Sequence, residues 1–134
     1  MVGVDGSESS LGALDWAAGQ AELTGAEIEV VVTWEWPTSY GWAVPYPEGW
    51  NPRDDATKVT DEPVARTRQA HPSLSISVTV TEGHPAPVLV EASRGADLLV
   101  VGSRGHGEFA GMLLGSVSEH CVTNAHCPVL VFRR

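Results

Sequence analysis

The stretch Val100-Val101-Gly102-Ser103-Arg104-Gly105, followed nine residues later by Gly115-Ser116-Val117-Ser118, decides the fold. Its first part continues the apolar pattern of 97–101, which is typical of a strand, into a loop with two glycines. The second part, from Gly115 onward, begins a helical pattern. Glycines let backbone N–H groups approach a ligand closely, and the start of a helix adds unpaired donors and a positive dipole end. The stretch therefore predicts an anion-binding loop, most suited to nucleotide phosphates, although a tight turn without a ligand is the alternative.

The composition limits the class of partner. The chain has 134 residues, which we interpret as one domain over 1–134, and it carries a net charge of −9. This charge argues against nucleic acid or an anionic membrane as a partner, because both need a basic surface. Lys58 is the only lysine beside seven arginines. A bound phosphate must therefore be held mainly by backbone donors and a few local side chains.

The sequence contains no targeting or membrane signal that we recognise. No apolar run approaches the roughly 18–20 residues of a membrane span, and the start lacks the basic and apolar regions of a secretory signal. Cys121 and Cys127 have the character of small core residues and indicate no disulfide framework. We expect a cytoplasmic protein.

Strand and helix patterns alternate along the chain. About five β-rich runs, near 2–5, 27–33, 74–81, 98–101 and 128–132, alternate with four helical patterns. The first helix should be capped by Ser7 or Ser9 and end at Gly25, and the second, about 55–70, is weakened by Pro63. This alternation predicts an α/β fold with a parallel sheet, whose ligands bind beyond the carboxyl ends of the strands where the strand order reverses.

The segment 34–53 departs from this alternation, because it concentrates tryptophan, tyrosine and proline. It is too long and too aromatic to be a simple connection. Three interpretations stay open: a lid over the ligand, an interface with a partner, or a partly disordered excursion.

The glycine motif also has a specific relative. Gly102, Gly105, Gly115 and Ser116 fit the pattern G-x-x-G, nine residues, G-S. Together with residues 3–7, GVDGS, and 127–131, CPVLV, they make the chain resemble the universal stress protein family over nearly its whole length, most weakly from about 36 to 70. The resemblance implies a Rossmann-like, open five-stranded parallel sheet of order 3-2-1-4-5 with helices on both faces.

The family's ATP-binding branch, which has this glycine spacing, implies a set of nucleotide-binding residues. Asp5 should hydrogen-bond the ribose or adenine, although a helix-capping aspartate is the alternative, and the backbone near Thr33 and Trp34 should meet the adenine. The remaining expected residues line the ribose and phosphates or hold the phosphates through N–H and hydroxyl donors: Ser7, Gly102, Ser103, Arg104, Gly105, Gly115, Ser116, Val117 and Ser118. ATP is the implied ligand, and Mg²⁺ bound with its phosphates is a further candidate.

Catalysis has little support in the residues. A Walker lysine, a Ser-His-Asp order and an HExxH pattern are all absent from the sequence, so we expect no catalytic residues and at most slow hydrolysis. His120, Cys121, His126 and Cys127 resemble metal ligands, but His120 and Cys121 are adjacent and would point to different parts of a helix surface. We expect no metal site in the protein itself.

The last strand pattern, Val129-Leu130-Val131-Phe132, is hydrophobic and would lie at a sheet edge, where it could pair with another chain. Since the family commonly dimerises there, we expect a homodimer. The function that follows is an ATP-binding regulator or sensor in the stress response. The alternatives are a slow ATPase or nucleotide hydrolase, and a module that binds another nucleotide such as cyclic AMP.

Overall fold

Five strands and four α-helices alternate in the computed structural model, which describes residues 1–37, 46–105 and 113–133. Their order is β1 (Val2–Gly3), α1 (Glu8–Thr24), β2 (Ile28–Trp34), α2 (Pro52–Ala70), β3 (Ile76–Glu82), α3 (Pro85–Ala92), β4 (Leu99–Gly102), α4 (Ser116–Asn124) and β5 (Val129–Phe132). A short 3₁₀ turn, Ser93–Gly95, follows α3. The parts of the aromatic segment and of the nine-residue spacer that fall at 38–45 and 106–112 lie outside the described residues.

The strands form one parallel sheet in the order β3-β2-β1-β4-β5, which confirms the predicted fold. The central strand β1 is short, but Val2 is in register with Val30 on one side and with Val100 on the other. A further bond from Val4 N to the Val31 carbonyl, 3.0 Å long, extends the pairing toward the carboxyl end. The order reverses between β1 and β4, so the ends of these two strands border one crevice.

The pleat of the strands divides the core into two layers. In β2, Val30 belongs to the layer that α1 and α2 cover, and the next residue, Val31, belongs to the layer under α3 and α4. In β4, Val100 and Val101 divide in the same way. Successive side chains of a strand point to opposite faces, so a continuous apolar run fills both layers.

The ends of α1 confirm the predicted caps. The Ser7 hydroxyl oxygen accepts a hydrogen bond from Ser10 N at 3.2 Å, and Gly25 ends the helix with a positive φ of 74°.

Cys121 is completely buried in the core layer under α3 and α4, and burial is the main reason that the pKa of its thiol rises to about 11. Cys121 and Cys127 are both free thiols.

The prediction that Pro63 would compromise the second helix was wrong. Helix α2 runs without interruption for 19 residues and begins at Pro52, with Asn51 as its N-cap. A proline inside a helix removes one backbone hydrogen bond at a cost of about 3 kcal/mol. Packing outweighs this cost, because α2 buries one face against β2 and β3: Ala56, Thr60, Val64 and Thr67.

The close approach of β4 to α1 depends on Gly102. A Cβ atom on Gly102 would lie 2.7 Å from the carbonyl carbon of Ser9 and 2.8 Å from Ser10 N. Both are backbone atoms at the start of a helix, so they cannot move aside cheaply. The sequence-based expectation placed Gly102 near a ligand; the structure shows that it is also required for packing.

Gly102→Ala should therefore lower the free energy of unfolding by about 1–3 kcal/mol, because the added methyl group overpacks this contact. Gly19→Ala is the matched control, since Gly19 is inside α1 and a Cβ there meets no atom within 4 Å. That change should raise stability by about 0.5–1 kcal/mol. Urea unfolding curves measure both, and equal stability of the two variants would contradict the packing role of Gly102.

Candidate functional site

A pocket lies at the carboxyl edge of the sheet, where the N-termini of three helices converge. Residues at the starts of α1, α3 and α4, namely Ser7, Pro85 and Gly115, all line it. The enclosed volume is about 100 Å³. The starts of α1 and α4 carry backbone N–H groups without helical partners, whereas α3 begins with Pro85 and Pro87, which have no N–H. All three starts add the positive end of a helix dipole, so the geometry favours an anion.

The structure brings most of the predicted site residues together here. We call residues 102–105 the glycine loop. The predicted residues that line the pocket come from the first strand and its turn, the end of β2, the glycine loop and the first turn of α4: Asp5, Ser7, Thr33, Gly102, Arg104, Gly105, Gly115, Val117 and Ser118. Trp34, Ser103 and Ser116 do not line it.

Asp5 connects the first strand to the glycine loop. Its Oδ1 atom accepts a hydrogen bond from Ser7 N at 2.9 Å, and its own N–H donates to the Ser10 hydroxyl at 3.3 Å. A Cβ on Gly105 would lie only 2.8 Å from Asp5 Oδ2, so the loop passes directly against the carboxylate. The carboxylate is thus held in place while the side chain stays exposed at the pocket.

Ser103 serves the fold and does not face the pocket. Its N–H donates to the Phe132 carbonyl at 2.7 Å, and its own carbonyl accepts from Gly115 N at 2.6 Å. Its hydroxyl lies 3.5 Å from that of Ser9. The side chain is buried. Ser103 therefore fastens the glycine loop to β5, to the start of α4 and to α1.

Ser118 lines the pocket, but its hydroxyl proton is used within the protein. The carbonyl oxygens of Ser103 and Gly115 both lie 3.0 Å from the buried hydroxyl oxygen and share its one proton. A hydroxyl has one proton to donate, and the Gly115 N–H is likewise bonded to Ser103. In this structure both donors fasten the loop to α4, and the expectation that they hold phosphate stays a prediction.

One wall of the pocket is apolar, and none of its residues was among those predicted for the site. Val31, Leu89 and Val101 belong to the core layer under α3 and α4, and Pro85 at the start of α3 adds to the wall. An apolar strand residue is normally interpreted as core. The signal that could have found Val31 is its spacing from Thr33, because residues two apart in a strand share a face. Such a wall suits the flat face of a base.

The charge at the pocket is sparse. Among the described lining residues, Asp5 and Arg104 carry the formal charges, and both side chains are exposed. Within residues 1–37, 46–105 and 113–133, no three His, Cys, Asp or Glu side chains are grouped so that they could hold a metal ion. These residues therefore offer an anionic ligand neutral backbone N–H donors and one cationic group, the Arg104 guanidinium.

The described aromatic residues lie away from the pocket. By the alternation of β2, Trp34 shares the face of Val30, which α1 and α2 cover, whereas Thr33 faces the pocket. Trp34 contacts Trp36 edge to face, and this contact continues to Tyr46 and Trp50. The part of the segment that the structure describes therefore does not cover the pocket, and the lid interpretation has no support from it.

These features define a doubly wound α/β protein with an anion-suited pocket where the strand order reverses. The model of the universal stress protein family matches residues 1–133, and the chain belongs to that family. None of the helices in the described ranges is long and apolar enough to cross a membrane.

Two curated mycobacterial relatives match almost the whole chain. Universal stress protein Rv2623 of Mycobacterium tuberculosis is 35% identical over 139 residues, covering 99% of this chain and 44% of that protein. A universal stress protein of Mycolicibacterium smegmatis is 32% identical over 134 residues, covering 99% and 45%. The chain thus spans less than half the length of these relatives.

Solved structures share the fold. A universal stress protein in complex with cAMP is 30% identical, with a TM-score of 0.73 and coverage of 98% of this chain and 93% of that one. An Arabidopsis thaliana family protein with AMP bound is 23% identical, with a TM-score of 0.64 and coverage of 100% and 90%. The second likeness, at its lower identity, concerns the fold alone.

The hydrogen bonds of Ser118 lead to a stability prediction. Ser118→Ala should lower the free energy of unfolding by about 1 kcal/mol, because a buried hydrogen-bonded hydroxyl is lost. Ser116→Ala, at an exposed position two residues earlier in the same helix, should stay within about 0.5 kcal/mol of the parent. Chemical denaturation of the two variants tests this, and an Ser118→Ala protein as stable as the parent would refute the fastening role.

Proposed function

We propose that the chain binds an adenine nucleotide in this pocket, with ATP as the preferred ligand, and acts as a nucleotide-dependent regulator or sensor. The observation that carries the proposal is the convergence of three helix N-termini on one pocket in a chain whose net charge is −9. An acidic protein gains little general attraction for a nucleotide, so local donors must supply it.

The start of α4 would hold phosphate. Its first helical hydrogen bond runs from Glu119 N to the Gly115 carbonyl at 3.0 Å. The N–H groups of the three residues before Glu119 therefore have no partner four residues back within the helix. Arg104, exposed in the glycine loop, would add the positive side chain, and Mg²⁺ would accompany ATP on its phosphates.

The pocket would enclose only part of the nucleotide. Its volume of about 100 Å³ is below the roughly 300–1,000 Å³ of a typical small-molecule site. The apolar wall of Val31, Leu89 and Val101 suits the base, and the Asp5 carboxylate could accept hydrogen bonds from ribose hydroxyls. The phosphates would then lie along the open rim formed by the helix starts.

Cyclic AMP is the second candidate ligand. It is favoured by the relative of 30% identity whose structure contains cAMP. A cyclic nucleotide has one phosphate charge, so it would gain less than ATP from Arg104 and from the helix N-termini. It also lacks the free 3′-hydroxyl that could donate to Asp5.

Arg104→Gln should weaken ATP binding about tenfold, which corresponds to about 1.4 kcal/mol for a lost charge-assisted contact. Adenosine affinity should not change, because adenosine carries no phosphate. Arg94→Gln is the control, since Arg94 is exposed after α3 and pairs with Glu91 at 3.2 Å. Isothermal titration with ATP, AMP, cAMP and adenosine measures the four affinities for each variant.

Each result has a clear meaning. Absence of saturable binding of any of these ligands to the parent protein would refute the proposal of a nucleotide site. Tighter binding of cAMP than of ATP would replace ATP by cAMP as the ligand. An equal loss in the Arg94 variant would mean that the effect is general charge and not contact.

We further propose that two copies pair through β5. Val129, Leu130, Val131 and Phe132 are all half-buried, and β5 is an edge of the described sheet, bonded to β4 on one side. A short hydrophobic edge strand can pair with a second copy of itself. A bound nucleotide could then affect the dimer contact through Ser103, whose N–H donates to the Phe132 carbonyl.

Val131→Lys should shift the protein toward monomer, because a charge would be placed at the paired edge. Val78→Lys is the matched control on β3, the opposite edge of the sheet, and should leave the oligomeric state unchanged. Sedimentation equilibrium distinguishes the states, with thermal unfolding as a check that both variants fold. A parent protein that is monomeric at all concentrations would contradict the proposed pairing.

A further inference from the structure

A second surface feature lies on the other face of the sheet from the pocket. Four rings pack together beyond the end of β2: Trp34, Trp36, Tyr46 and Trp50, here called the aromatic cluster. Trp36 is central, with ring centroids 6.1 Å from Trp34, 5.3 Å from Tyr46 and 5.9 Å from Trp50. The Trp50 indole N–H donates to Asp55 Oδ2 at 2.9 Å, which fixes the cluster to the first turn of α2.

Two of the four rings of the aromatic cluster are exposed, and the other two are half-buried. Trp36 is 42% exposed and Tyr46 is 44% exposed. Exposed tryptophan and tyrosine are enriched where proteins meet partners, because they offer wide contact area at little conformational cost. None of the four rings lines the nucleotide pocket, so the proposed nucleotide site does not account for this surface.

The distances between the rings determine whether a ligand group can enter between them or must stack on their outer faces. Centroids 5.3–6.1 Å apart are those of rings in direct contact. A cage that encloses a methylated ammonium group needs empty space between its rings, and these rings leave none. A ligand group must therefore stack on the outer faces of Trp36 and Tyr46.

The border of the aromatic cluster is acidic. One carboxylate contacts the aromatic cluster directly, since Asp55 Oδ2 accepts the Trp50 indole N–H. Further exposed carboxylates flank its members in sequence or in strand register: Glu48, Asp54 and Glu82. The exposed cationic groups in the same described stretches are Arg53 and, when protonated, His84, whose Nδ1 is 3.2 Å from Glu35 Oε1. The surface therefore combines aromatic faces with an excess of negative charge.

We propose that the aromatic cluster and its acidic border form a docking surface for an arginine-bearing segment of a partner protein. A guanidinium group is planar, so it stacks on indole and phenol rings while its edge donates to carboxylates. Lysine offers a charge without a plane and gains less from stacking. Charge complementarity thus selects a basic segment, and the ring faces select arginine. The proposal does not rest on nucleotide binding.

The probe is a capped pentapeptide, Gly-Arg-Gly-Arg-Gly, titrated into the whole chain by calorimetry. Two analogues, with lysine or with uncharged citrulline at both arginine positions, separate charge from stacking. We expect saturable binding of the arginine peptide, weaker binding of the lysine peptide and none of the citrulline peptide. Trp36→Ala should weaken arginine-peptide binding about five- to tenfold, and Trp36→Phe should weaken it less.

Two pairs of variants complete the test. Glu48→Gln with Asp54→Asn should weaken binding, whereas Asp61→Asn with Glu62→Gln, an equal charge change at exposed positions further along α2, should not. ATP binding by the Trp36 variants should match the parent. Equal binding of the arginine and lysine peptides, equal effects of the two charge pairs, or unchanged binding by Trp36→Ala would each overturn the proposal in favour of general attraction to an acidic protein.

Discussion

The contact between the end of β4 and the start of α1 is the constraint on which the site depends. Gly102 allows the two backbones to approach, and Ser103 then fastens the glycine loop to β5 and α4. Arg104 continues the link, because its carbonyl accepts a hydrogen bond from the Ser7 hydroxyl at 3.4 Å. Without this approach, the helix N-termini of α1 and α4 could not face one pocket.

The pleat of the sheet separates two surfaces with different chemistry. Thr33 and Val31 face the pocket beneath α3 and α4, and Trp34, one residue later, begins the aromatic cluster on the opposite face. A nucleotide and a protein partner could therefore be bound at the same time without competing for the same side chains.

Local sequence patterns predicted correctly those features that depend on a few neighbouring residues. The caps of α1 at Ser7 and Gly25 follow from the side chain and the conformational freedom of single residues. The strand order came from the family resemblance of the glycine motif. Pro63 was misjudged because the packing of α2 on β2 and β3 outweighs a local helix penalty. The partner of Ser118 could not be anticipated, because Ser103 is 15 residues away along the chain.

The sequence by itself determined the α/β class, the glycine loop and the small number of cationic side chains. The first two follow from periodicity and spacing along the chain, and the third follows from composition. The tertiary structure alone decided which donors remain for a ligand. It used the Gly115 N–H and the Ser118 hydroxyl to fasten the loop and placed an apolar wall behind it. A buried donor bonds to whichever acceptor the fold brings near it. Because these donors and acceptors are far apart along the chain, a local sequence pattern does not predict which of them meet.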